Sequence, residues 1–172
     1  MPGPTAPMAE PISANVFLKV RNNLMDFDKE TQVRVLQVAA GREEGSTFEE
    51  LDARIAHIMD LHPEFDEIWK QGELATYPQE INGQIVSPFV HTVLHVTVDK
   101  QIADGQPEFV AETYNRLIGQ GMVEHDVLHA IIAVYAELHF AGFRQGKGFD
   151  NLDYESRLTY LSYEDQGSMD ED

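Results

Sequence analysis

The stretch 124-EHDVLHAIIAVYAELHF-140 decides how the rest of the chain is read. It is too long for a strand, and its apolar residues run almost all the way round a helical wheel. At 100° per residue, His125 and His129 fall about 40° apart on one face. Leu128, Ile132 and Ala136 flank them, and Val127, Ile131, Val134 and Leu138 lie opposite. A surface helix would show a broad polar face; this one has little beyond its histidines, which predicts a central helix of a bundle.

A second stretch, 87-SPFVHTVLHVTVDKQ-101, repeats the arrangement. His91 and His95 are four apart, with Leu94, Val98 and Ile102 bordering them and Val90, Val93 and Val96 on the far side. Ser87 and Pro88 supply an N-cap and a first-turn proline, and Gly105 a stop, which predicts a helix to about Asp104.

Shorter helices are expected around these two. Ser13 can cap one with Val16, Phe17, Val20 and Leu24 on a shared face, and Asp28 a second ending at Gly41, although its "VRVLQV" also alternates with strand period. Thr47 and Glu50 read as a capping box before Leu51, Ile55, Ile58 and Met59. Pro63 breaks that helix and opens the short "PEFDEIWKQG". Glu73 to Val86 reads as a loop. Pro107 starts a helix burying Phe109, Val110, Thr113, Tyr114 and Leu117; the longest helix runs from about Met122 to Phe143; a last one, about Leu152 to Tyr163, packs through Tyr154, Leu158 and Leu161. No strand pairing is expected, so the class is all-α, a bundle of about six or seven helices around two buried ones. Residues 1–12, rich in proline, and the acidic tail 164–172 are expected to be disordered, leaving 13–163 as a single domain.

Thirty acidic residues against 12 basic ones set the net charge at −18, which repels phosphate backbones and anionic lipid and argues against nucleic-acid partners. The N-terminal residues carry no basic group or apolar run of signal-peptide type, and no stretch is expected to reach the roughly 20 apolar residues of a membrane helix. These features predict a soluble cytoplasmic protein without a membrane partner. With no cysteine, thiolate chemistry is excluded and any metal site must use His, Asp and Glu.

Seven histidines scattered over this length should give only roughly 0.3 His-x-x-x-His pairs, and two occur on matched helices. One helical turn places such imidazoles close enough to share an ion, and two pairs facing across a bundle supply four nitrogens. Neither pair is a helical zinc-protease motif, because Thr92 and Asp126 stand where its glutamate would be. The candidate ligands are therefore His91, His95, His125 and His129, with Glu137, Glu124 and His62 as further ligands or supporting groups, and Asp126 and Asp99 nearby. Nitrogen and oxygen donors suit zinc or iron rather than magnesium or calcium. Haem held between opposed histidines stays open, as does an alternative in which the histidines merely hydrogen-bond within a non-catalytic interaction module or hold a purely structural metal. Whether the chain is an enzyme is open at this point. His139 reads as a packing residue, His57 as a surface one, and Trp69 as a packing anchor. No phosphate loop, nucleophile elbow or dinucleotide fingerprint is present.

The segments "LHPEF", "SPFVHTVLH", "DGQP" and "EHDVLHAIIAVYAEL" resemble, in order and spacing, the bacterial domain of unknown function 1841 family over about Phe48 to Leu161. The resemblance implies a helical fold and places His62, Pro63, Glu64, His91, His95, Glu124, His125, His129 and Glu137 at motif positions, with no activity attached. The chain departs from the pattern at Lys100 and Ala133, where the family tends to acidic residues, and at Phe65 and Asp66, where it tends to Tyr-His.

Overall fold

A computed structural model describes residues 27–163. Seven α-helices account for most of them: α1 (Lys29–Glu43), α2 (Glu50–Asp60), α3 (Asp66–Trp69), α4 (Pro88–Asp104), α5 (Glu108–Gly119), α6 (Glu124–Arg144) and α7 (Asn151–Tyr160). The helix expected from Ser13, and the terminal segments 1–12 and 164–172, lie outside the described residues.

Helix α4 organises the molecule because it is buried on nearly every side. Its Phe89, Val93 and Val96 join a core with Val35 and Val38 of α1, Ile55, Ile58 and Met59 of α2, and Phe65 and Trp69. Its Leu94 and Val98 join a second core with Val110 and Leu117 of α5, Val127, Ile131 and Leu138 of α6, and Tyr154 and Leu158 of α7. One helix thus forms a wall of both cores, as its all-round apolar pattern requires. The Ser87 side chain caps it by accepting from Val90 N and donates to the Thr76 carbonyl; Gly105 ends it with φ 63° in the left-handed region. Further polar ties bind the layers: the Arg54 guanidinium to Asp99 at 3.0 Å between α2 and α4, and the Tyr154 hydroxyl to Gln101 Oε1 at 2.9 Å between α7 and α4.

Several sequence expectations are corrected. Helix α1 does not end at Gly41 but runs through it to Glu43, and the left-handed turn comes at Gly45 (φ 75°). Glycine at 41 makes room for a neighbour instead: a Cβ there would lie 2.8 Å from the Phe48 ring that packs on this part of the helix, and the ring would have to shift. Thr47 and Glu50 form no capping box; α2 begins after Glu49, with no side-chain cap and with Glu50 at φ 50°. The "PEFDEIWKQG" helix divides into a 3₁₀ turn, Pro63–Phe65, and the single α turn of α3.

The stretch read as a loop contains a 3₁₀ turn, Gly72–Thr76, and an antiparallel hairpin of β1 (Gln79–Ile81) and β2 (Gln84–Val86), in which Glu80 faces Ile85. Asn82 and Gly83, at φ 51° and 83°, make the paired left-handed turn that a two-residue hairpin favours. Finally, α6, at 21 residues, is long and apolar enough by length and composition to cross a membrane, contrary to the expectation above. In the fold it packs against α4, α5 and α7.

Candidate metal centre

Five histidines from three parts of the chain meet on the flank of α4. His91 and His95 come from α4, His125 and His129 from α6, and His62 from the connection after α2. The residue before a proline is pushed out of the helical region, and His62 at φ −127°, ψ 65° is where the chain leaves α2. That break turns its ring inward, so that it is 2% exposed and touches all four other histidines, with ring centroids 4.5 to 5.4 Å away. His125 and His129, one turn apart, have centroids at 4.1 Å.

The hydrogen-bond geometry at His62 defines what the cluster offers. Its Nδ1 lies 2.9 Å from the Ile58 carbonyl in the last turn of α2, which also accepts from Leu61 N, and donates to it. That fixes the tautomer and leaves Nε2 with its lone pair exposed to the cluster. The lone pair faces two nitrogens at once, His91 Nε2 at 3.0 Å and His129 Nε2 at 3.2 Å. Two nitrogen ligands on one ion at about 2.0–2.1 Å stand about 3.0–3.4 Å apart, depending on the bond angle. One nitrogen from each of His62, His95, His125 and His129 lies within 4.8 Å of the others, so these four could hold a metal ion after an inward adjustment of roughly an ångström.

His95 is the most telling member. It is 0% exposed, and neither ring nitrogen has a hydrogen-bond partner. A buried imidazole with both nitrogens unanswered costs about 1–3 kcal/mol and is rarely tolerated without a reason. The surroundings also favour the neutral form of His62, His91, His95 and His129. Burial, then the neighbouring imidazoles, pushes His91 and His95 down to about 3 and His129 to about 4. Burial likewise lowers His62, against the opposing pull of the Ile58 carbonyl and Glu64. Neutral rings keep the lone pairs that metal coordination uses. Phe65 lies over the cluster, parallel to His62 at 5.6 Å and edge-on to His91 at 5.4 Å. With the imidazole rings packed directly on one another, no planar gap separates opposed histidines in the way a haem would need.

The carboxylates behave differently from the histidines. Glu137, eight residues beyond His129 and so about 12 Å further along the helix, is exposed and pairs with Arg157 at 3.0 Å. It is not brought to the imidazoles. Glu124 is exposed and accepts from the Tyr114 hydroxyl at 3.0 Å, and Asp99 is held by Arg54. Both line a cleft of about 170 Å³ with His57, Ile58, Leu61, His125 and Leu128, so they stand beside the cluster without joining it. Asp126 is exposed, its charge favouring the protonated form of His129. His57 is exposed on the rim of that cleft. His139 packs against Phe27, Tyr135 and Phe140, away from the five. Trp69 is buried in the first core, its indole N–H without a hydrogen-bond partner.

Sequence reasoning put His62 last among the candidates, although it sits in the middle of the cluster. The available signal was the following proline. Tyr114 and Arg54, which position the two cleft carboxylates, carry no motif and were missed as site residues.

The five histidines at their spacing, and the helices that carry them, fall within residues 29–160, which match the family described as Domain of unknown function (DUF1841). The chain belongs to that family. Every histidine of the cluster lies inside the matched region. No curated protein and no solved structure matches the chain.

Proposed function

We propose that this DUF1841 domain binds a first-row transition metal, zinc or iron, through imidazoles of His62, His95, His125 and His129, with His91 against His62 as a fifth donor. The observation that carries the reading is His95: fully buried, unpartnered at both nitrogens, and within reach of three other imidazole nitrogens. A metal would answer one of the two nitrogens that the protein leaves unpartnered. An all-imidazole set is neutral and of intermediate softness, which suits zinc and iron and is unsuited to magnesium or calcium. Bound to such a set, the ion keeps its full charge and would act as a Lewis acid on whatever occupies a further coordination position.

Elemental analysis of the purified protein, together with its absorption spectrum, tests this. The expected result is close to one zinc or iron per chain, falling below a tenth in His62→Ala/His129→Ala. Equal metal content in the wild type and that variant would remove the proposed ligand set. Metal-free protein that also fails to take up added zinc would remove the metal reading altogether.

A further inference from the structure

A metal centre sealed on every side could load only during folding, so the approach to this one matters. His62 and His95 are 2% and 0% exposed, and Phe65 covers the His62 and His91 side. Two larger clefts, of about 580 and 300 Å³, lie between α6 and α7 and between α1 and α3, and touch none of the five histidines. The cleft of about 170 Å³ does reach the cluster, at His125. Its walls are Ile58, Leu61 and Leu128, and its polar groups are Asp99, Glu124, His57 and His125. The two carboxylates are held in place by Arg54 and by the Tyr114 hydroxyl. With Arg54 counted, this mouth still carries net negative charge, on a chain whose net charge is −18.

We propose that this cleft is the route by which a divalent transition-metal cation enters the cluster, with Glu124 and Asp99 capturing the ion and His125 the first imidazole of the cluster that it meets. The inference rests on the metal reading above. A cleft lined by charge of one sign raises the local concentration of the opposite ion and with it the association rate, more strongly at low ionic strength. The carboxylates are oxygen donors fit for a transient, hydrated contact, and the imidazoles behind them bind a transition metal more strongly. The ion therefore passes from oxygen to nitrogen as it moves inward. At saturating metal the capture groups set the rate of loading and leave the stoichiometry unaltered.

The test is stopped-flow mixing of metal-free protein with Co²⁺ at low ionic strength, read by the visible absorption of nitrogen-ligated cobalt. Removing both charges, Asp99→Asn/Glu124→Gln, should slow uptake about tenfold and flatten its salt dependence, with the same final cobalt content. Glu124→Gln alone, which leaves the Arg54 pair intact, should slow it about threefold. A charge-matched control distant from the cleft, Glu137→Gln/Asp153→Asn, should stay within twofold of wild type. Leu128→Trp, which fills the cleft, should slow uptake without changing the stoichiometry. Equal rates for the cleft pair and the control pair, with cobalt bound in both, would overturn the entry route and leave the metal centre standing. Failure of the wild type to bind cobalt at all would overturn both.

Discussion

Replacing His95 with leucine separates a metal ligand from an ordinary core histidine, because the two roles predict opposite signs. In metal-free protein His95 contributes no hydrogen bond, and its two buried nitrogens carry a desolvation cost. Leucine has a similar size and no polar atoms, so His95→Leu should recover part of that cost, about 2 kcal/mol. For a chain of this length 1 kcal/mol moves the melting temperature by roughly 2–4 °C, so the chelator-treated variant should melt about 4–8 °C above chelator-treated wild type. With zinc at 100 times its dissociation constant, the wild type gains about 2.7 kcal/mol from binding alone. The variant loses most of that gain, and its advantage over wild type should vanish or reverse. Paired thermal scans with chelator and with zinc measure both states. A variant less stable than wild type in chelator would refute the reasoning, since it would mean that the imidazole makes favourable contacts without any metal.

Acidification should destabilise the metal-free protein. The folded state holds His91 and His95 at about 3 and His129 at about 4, whereas the unfolded chain titrates near 6.5. Between those values the unfolded state binds more protons, so stability rises with pH and is lost as pH falls from about 6.5 toward 3. Urea midpoints at pH 7.5 and 5.5 should show the drop, and equal midpoints would contradict the burial of these rings. Ile131→Ala, at a fully buried position on the α6 face turned from the histidines, should cost about 2–5 kcal/mol in urea unfolding at saturating zinc while metal stoichiometry stays at the wild-type value. Glu137→Gln should leave metal content unchanged and alter stability by less than about 1 kcal/mol, because its partner Arg157 is a surface one; a loss of metal would place that carboxylate back among the ligands.

Much of the architecture was legible from pattern alone. The continuous apolar surface of α4 announced a central helix, and the matched histidine spacing of α4 and α6 announced the two main sides of the cluster. The same all-round pattern overstated the burial of α6, which buries Val127, Leu128, Ala130, Ile131, Ile132 and Leu138 and leaves most of its 21 residues partly or fully exposed. Ser87, Asp28 and Gly105 marked helix ends by chemistry that acts over three or four residues, and those ends stand where two capping side chains and one left-handed glycine put them. The misreadings occur where a distant contact overrides a local preference. Gly41 reads as a stop until Phe48 is seen lying against it, and Thr47 reads as a cap although the chain turns left-handed at Glu50 instead. The hairpin was a different kind of miss: Asn82-Gly83 is a strong turn signal, masked because each strand is only three residues long. Within the centre, the contributions on α4 and α6 follow from helical geometry, whereas His62 arrives from a broken segment 29 residues upstream of His91, and no periodicity links them. The separation of Glu137 from the imidazoles, by contrast, was written in the rise of the helix.

The seating of α4 in two cores also bears on how the domain can change over evolutionary time. Inserting or deleting one residue within α4 would turn everything beyond it by about 100°, swinging valines and imidazoles off their facing surfaces on both sides together. Added residues should be tolerated better in the connections, such as the hairpin turn at Asn82-Gly83, where they lengthen a loop and leave α4 in register with both cores.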